Sequence, residues 1–295
     1  MLGASGAGKT TYVSLMYAEM QRDVGGFRVF TANAAQHRQL LADAGAIRNG
    51  RYPESTHRRA SYDLSLSFGG AEVLPFTWHD HRGGAVAGRT TDSQDVALLH
   101  QDLRDSDAIV VFVDGEKLAG GGPRAARDVG RLTGHVLRAL RERVNVLTPL
   151  VIAVTKCDLI DLGEEKVVEA IRGPLTELSE AVAGTRHIHG TVLPLCCGPS
   201  PVNVIVPVLW SLRFGVIGRA MRLAADAEES HVAAVVAAGR DTLGDRIKSW
   251  WRDEPSWASI AESRGRTAQE AWRQFQKLAG PAERLDELLG DVSSF

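Results

Sequence analysis

Residues Gly3-Ala4-Ser5-Gly6-Ala7-Gly8-Lys9-Thr10 fit the pattern G-x-x-x-x-G-K-[ST] at every fixed position. The pattern has a physical reason. Glycines let successive backbone N–H groups turn inward around phosphate oxygens, and the N-terminus of the following helix favours negative charge. Thr11 to Met20, apolar at Val13, Leu15, Met16 and Met20, has the spacing of that half-buried helix. A nucleoside triphosphate is therefore the expected ligand. Lys9 would reach its outer phosphates and Thr10 would offer a hydroxyl to Mg²⁺, while Gly3, Ser5, Gly6, Ala7, Gly8 and Thr11 line the phosphate cradle. Only Met1 and Leu2 precede the loop, although the motif normally follows a complete buried strand. The strand is thus expected to be cut short, or the start to lie downstream of the true one.

The rest of the chain supplies a sheet for this loop. Tyr62, Leu64, Leu66 and Phe68 alternate with polar residues, Gly69-Gly70 marks a turn, and Val73 to Trp78 returns, as in an antiparallel hairpin. Three further apolar runs, Ala108 to Val113, Leu150 to Val154 and Thr191 to Leu195, are short enough for buried strands. Helical patterns separate them, one ending near Arg143 and one from Glu164 to Ala183, and strands alternating with helices predict a parallel sheet. The expected fold class is α/β: a three-layer P-loop NTPase fold, mostly parallel with one antiparallel hairpin strand, plus a C-terminal helical extension. An amphipathic helix from Pro207 to about Ala225 closes a first domain, 1–225. Residues 226–295 shift to Ala, Glu, Arg and Trp and read as two or three helices, broken near Pro255 and near Gly280-Pro281.

Composition narrows the partners. The formal net charge of −2 gives no long-range attraction for nucleic acid or an anionic membrane. No run reaches the roughly 18 apolar residues of a membrane span, so no transmembrane segment is expected. The 3 cysteines include the adjacent pair Cys196-Cys197 and have neither metal-ligand spacing nor the even number of a disulfide framework, which points to a reducing cytoplasm. His187 and His189 stand two apart without a third ligand. Four of the 6 tryptophans, Trp250, Trp251, Trp257 and Trp272, fall in the tail, as packing residues or as anchors for a protein partner.

Two further motifs bear on the nucleotide. Asp80-x-x-Gly83 ends the second hairpin strand, where a carboxylate can hold Mg²⁺ and a glycine N–H can approach the terminal phosphate. Asp114, after Ile109 to Val113, is the rival; it would make the protein an ATPase. Thr155-Lys156-Cys157-Asp158 follows the strand Leu150 to Val154, at the end where side chains point into the ligand crevice of a parallel sheet. A carboxylate at Asp158 accepts both the ring N–H and the exocyclic amine of guanine; the matching adenine nitrogen carries no proton. Lys156 would lie along the base and the loop.

Taken in order, with a hairpin before the second, these motifs resemble those of the translation-factor-related class of P-loop GTPases. Trp78-His79-Asp80-His81-Arg82-Gly83-Gly84 and Phe112-Val113-Asp114-Gly115 are similar to bacterial double-GTPase proteins of conflict or signalling gene clusters, over about Leu2 to Ala225. The resemblance implies GTP/GDP and Mg²⁺ as cofactors, protein partners or an activator, and Thr56 as the mobile-loop threonine that senses the terminal phosphate. It also implies Lys9, Thr56 and Gly83 as the catalytic set, Thr10, Thr56 and Asp80 around the metal, and Cys196-Cys197-Gly198 as the loop that buttresses guanine. Two positions depart from the family. Thr155 replaces an asparagine, and Gly84 stands where many relatives carry the glutamine that orients water, so intrinsic hydrolysis is expected to be slow. His79, His81, Arg51, Arg58, Arg59 and Arg82 are candidates to take its place. A scaffold merely stabilised by nucleotide is a third reading.

Overall fold

Ile109–Asp114 and Thr148–Thr155 contain no solvent-facing position, and strands of that kind need cover on both faces. The computed structural model, which describes residues 1–53, 59–81, 83, 93–143, 147–227, 266–290 and 292, supplies it. Strand β1 (Leu2–Gly3) leads through the glycine loop into α1 (Lys9–Glu19), followed by β2 (Phe27–Phe30), α2 (Ala34–Arg48) and the hairpin β3 (Ala60–Phe68) and β4 (Ala71–Asp80). Next come α3 (Ser93–Asp105), β5 (Ile109–Asp114), the short α4 (Gly115–Ala119), α5 (Pro123–Arg141) and β6 (Thr148–Thr155). The order ends with α6 (Glu165–Ala183), β7 (Ile188–Pro194), α7 (Val206–Ala227) and α8 (Arg266–Leu288).

Four strands in the order β1-β5-β6-β7, all parallel, form the central sheet. Side chains alternate between its faces, as the pleat requires. Ile109, Val111, Val113, Leu150, Ile152 and Val154 pack with Leu99 and Leu103 of α3, Val129 and Val136 of α5 and Leu175 and Leu178 of α6. Val110, Phe112, Val151 and Ala153 face the opposite layer, with Tyr12, Val13 and Met16 of α1 and Val208, Leu209 and Trp210 of α7. The three layers expected from the strand–helix alternation are therefore present.

The expected hairpin is present too, with one refinement: β3 and β4 join β2 in a separate antiparallel sheet, order β2-β3-β4. Because β1 spans only two residues, β4 completes its ladder with β3 and meets the central sheet at one point. There Met1 N donates to His79 O at 2.6 Å and His81 N donates to Met1 O at 3.3 Å. Strand β2 had no forecast; its alternation, with Phe27 and Val29 buried, is too short to announce itself.

Helix α7 runs through Ala227, and α8 lies against it. Leu278, Ala282, Leu285 and Leu289 share the core of α1 and α7, and Arg213 Nε meets Asp286 Oδ1 at 2.5 Å. The break expected at Gly280-Pro281 does not occur, because α8 continues through both residues. A proline removes one helical hydrogen bond, but here Pro281 is buried between Leu278 and Leu285, and that packing holds the helix together. Trp250, Trp251 and Trp257, with the break expected near Pro255, lie outside the described residues. Among the described residues no helix is long and apolar enough to cross a membrane.

Candidate nucleotide-binding site

The loop between β1 and α1 has the geometry its glycines foretell. Gly6 and Gly8 adopt φ of 79° and 81°, a left-handed conformation that residues with a Cβ rarely take, and Gly8 caps the helix. Lys9, 7% exposed, folds back so that Nζ donates to Gly3 O at 2.9 Å and Ala4 O at 3.4 Å. Burial lowers its pKa and the nearby Asp80 carboxylate opposes the shift. Ala7 is buried, Ser5 exposed, and Thr11 half-buried on the first turn of α1.

The loop's next residue selects between the two aspartates. Thr10 Oγ1 donates to Asp80 Oδ2 at 3.1 Å. Asp80 is 1% exposed, and its other oxygen, Oδ1, is buried without a hydrogen-bond partner among the described residues. Burial raises the Asp80 carboxyl pKa, against the pull of Lys9, the amino terminus and the Thr10 hydroxyl. A buried carboxylate oxygen left open beside a threonine hydroxyl fits a hard divalent cation. Asp114 has a different setting. Its Oδ1 accepts from Lys117 N at 3.1 Å, which caps α4, and its Oδ2 lies 2.8 Å from both Lys117 Nζ and Lys156 Nζ. Burial alone would raise its carboxyl, but the two ammonium groups hold it below the usual carboxylate range.

Gly83 presses on the loop itself. A Cβ built there would lie 2.3 Å from Ser5 N and 2.7 Å from Ala4 C, so only glycine can occupy the position. Thr56, Arg58, Arg82 and Gly84 lie outside the described residues. His81 is buried, with Nε2 3.4 Å from Asp102 Oδ2 on α3, and burial together with neighbouring positive charge lowers its pKa to about 3. Arg59 Nη2 also reaches Asp102 Oδ2, at 2.7 Å, while the His79 ring meets Ser61 Oγ at 3.2 Å. Arg51 is exposed.

Thr155, Lys156 and Asp158 part company within four residues. Thr155 is fully buried, its Oγ1 3.1 Å from both Ala7 O and Val113 O, so it ties the phosphate loop to β5 from beneath. One hydroxyl proton serves the two carbonyls in turn. Thr155→Val is expected to lower unfolding free energy by about 1–2 kcal/mol and to weaken nucleotide retention, measured by denaturant unfolding with and without GTP. Unchanged stability would show that the tie carries nothing. Lys156 takes φ 60° and swings to Asp114 and Glu116, whose Oε2 is 3.2 Å away.

Asp158 is exposed and stands against the loop after β7. Its Oδ2 lies 3.1 Å from the Cβ position of Gly198, and the Tyr52 hydroxyl is 3.6 Å from the same point. Adjacent strands make this meeting: Leu195 N donates to Val154 O and Cys157 N to Leu195 O, and reciprocal bonds between Cys196 and Val202 close the loop. Burial raises the thiol pKa of Cys196, takes Cys157 to about 11 and Cys197 to about 12, so none is a ready thiolate. Tyr52 and Lys117 are the two residues here that motif reading passed over. A cavity of about 710 Å³, lined by β4, the start of β5 and α7, shares no residue with the glycine loop.

The phosphate loop after β1 and the Asp158 loop after β6 therefore lie at the carboxyl ends of strands of one parallel sheet, where ligands bind, and Asp80, at the end of β4 in the second sheet, meets the first of them through Thr10. A family model described as Double-GTPase 2 matches residues 1–189. No curated protein matches the chain. Among solved structures, the chain is similar to one from the signal recognition particle receptor SRb-GTP/SRX complex of Chaetomium thermophilum. That likeness has 17% identity and a TM-score of 0.43, covering 72% of this chain and 95% of the other.

Proposed function

The chain belongs to the Double-GTPase 2 family, and from that premise we propose that it is a slow GTPase switch, hydrolysing GTP to GDP and phosphate and signalling through protein partners. Membership of the family implies guanine-nucleotide binding. The observation that carries the finer reading is the bond from Thr10 Oγ1 to Asp80 Oδ2, with Oδ1 left open in a buried site. In that reading Thr10 and Asp80 hold Mg²⁺, which when bound supplies charge neutralisation on the phosphates. Lys9 leaves the carbonyls of Gly3 and Ala4 for the outer phosphate oxygens. The Gly83 amide meets the terminal phosphate, and with Thr56 it forms the pair of segments that order around GTP and relax after hydrolysis.

Slow turnover follows from Gly84, which has no side chain with which to orient water. The histidines leave no obvious substitute, since His81 is held at Asp102 and His79 at Ser61. Residues 1–225 form the GTPase domain of this proposal and residues 226–295 the helical extension that reports its state, in a bacterial cytoplasmic conflict or signalling setting. The ATPase alternative loses support because Asp114 already carries two lysines.

Competition tests the assignment. With labelled GTP and Mg²⁺, unlabelled GTP is expected to displace the label at least about 100-fold more effectively than ATP, the margin a site built to hydrogen-bond one base can reach. Displacement by ATP at comparable concentration would replace this reading with the ATPase. Absence of multiple turnover with any partner present would leave a nucleotide-stabilised scaffold.

A further inference from the structure

Two lysines, not one, converge on the carboxylate that ends β5, and they are not equivalent. Lys156 Nζ lies 2.8 Å from Asp114 Oδ2 and 3.2 Å from Glu116 Oε2, so two carboxylates neutralise it, and its side chain is 30% exposed. Among the described residues Lys117 Nζ pairs with Asp114 alone, at 2.8 Å, and its side chain is 54% exposed. Lys117 also stands over the phosphate loop: its Nζ is 3.6 Å from the point where a Cβ on Gly6 would be. Gly6 has no side chain to shield that ammonium, and the loop backbone brings phosphate oxygens to the same place.

Sheet order says which part of the nucleotide this cation meets. Asp80, paired with Thr10, ends β4, on the far side of β1 from β5. Asp114 and Lys117 follow β5, on the side toward β6 and Asp158. A nucleotide with its metal-bound phosphates at Thr10 and its base at Asp158 passes Lys117 with its inner phosphate and ribose. Asp114 holds the ammonium ready, by an ion pair and by capping the turn that carries it.

We propose that Lys117, rather than Lys156, is the cation that binds the inner-phosphate and ribose oxygens of the bound guanine nucleotide. Lys156 is the lysine of the base-recognition motif, but here it acts as a brace that fixes Asp114 and Glu116. The proposal rests on the guanine-nucleotide reading of this site. Because the contacted atoms are common to GDP and GTP, loss of Lys117 weakens both alike.

Equilibrium binding and release rates of fluorescent GDP and GTP, with Mg²⁺, on the full chain and its Lys117→Ala, Lys117→Arg and Lys156→Ala variants test this. Lys117→Ala is expected to lose about 10-fold in affinity for both nucleotides, the scale of one charge-assisted hydrogen bond, chiefly through faster release. Lys117→Arg is expected to recover most of it, and Lys156→Ala to lose less than Lys117→Ala. Thermal unfolding of the nucleotide-free Lys117 variants should match the parent, since the side chain is largely exposed. A Lys117→Ala protein that binds like the parent, or loses GTP alone, overturns the assignment. So does a larger loss in Lys156→Ala. If the unsubstituted chain retains neither nucleotide, the guanine reading itself fails, which the parent protein alone reveals.

Discussion

Asp158→Asn is expected to cut GTP affinity by about 100- to 1,000-fold, the cost of two hydrogen bonds to a charged acceptor, and to make xanthosine triphosphate the better ligand. In the proposed reading the carboxylate accepts from the guanine ring N–H and from its exocyclic amine. An asparagine keeps one acceptor and turns the other into a donor, which faces the guanine amine badly and the xanthine carbonyl well. Asp158 is exposed and its Oδ2 stands beside Gly198, so the substitution reaches the base without disturbing the core. Titration of both triphosphates against the two proteins checks the result. An unchanged preference would remove guanine recognition from Asp158 and leave the identity of the base to some other group.

Lys9→Ala acts at the other end of the nucleotide. It is expected to weaken GTP binding by about 100-fold or more, in line with truncating one partner of a buried charged pair, and to leave hydrolysis undetectable. Lys9 donates to the carbonyls of Gly3 and Ala4, so its removal also takes a donor from the loop. Circular dichroism and thermal unfolding of the nucleotide-free protein therefore accompany the binding measurement. A well-folded Lys9→Ala protein whose GTP affinity stays within about threefold of the parent would contradict the phosphate role, since a buried ion pair of this kind is not so cheaply lost.

These two residues were legible because their chemistry is local. The phosphate loop is eight consecutive residues, and two of its glycines, Gly6 and Gly8, take left-handed torsions. Asp158 stood out as a candidate because it follows the apolar run Leu150 to Val154, and the end of such a strand in a parallel sheet is the ligand side. Its meeting with Cys196 to Gly198 was expected from family resemblance. The fold produces it through the bonds of β6 to β7.

Other roles were not open to motif reading. Asp80 closes the alternating strand β4 and Asp114 the apolar strand β5, and each could face a metal; what differs in the fold is that Thr10 pairs with Asp80 while two lysines surround Asp114. Thr155 stands in the sequence as the replacement for an asparagine, and only the pleat of β6 shows that its hydroxyl turns under the loop, toward Ala7 and Val113. Lys156 is expected along the base from its motif, and its left-handed backbone and its contact with Glu116 could not be read from that motif. Helix α8 ran through Gly280-Pro281 because burial outweighed the local break signal.

The chain therefore declares its layers and its phosphate loop in one dimension, since strand and helix periodicities and glycine torsions depend on neighbours a few residues away. The pairing of Thr10 with Asp80, the inward turn of Thr155 and the convergence of Lys117 and Lys156 on Asp114 belong to the folded form. Each depends on which strands lie side by side, and on polar groups that meet only when the chain brings distant residues together, as Thr10 with Asp80 at 3.1 Å or Asp114 with Lys156 at 2.8 Å.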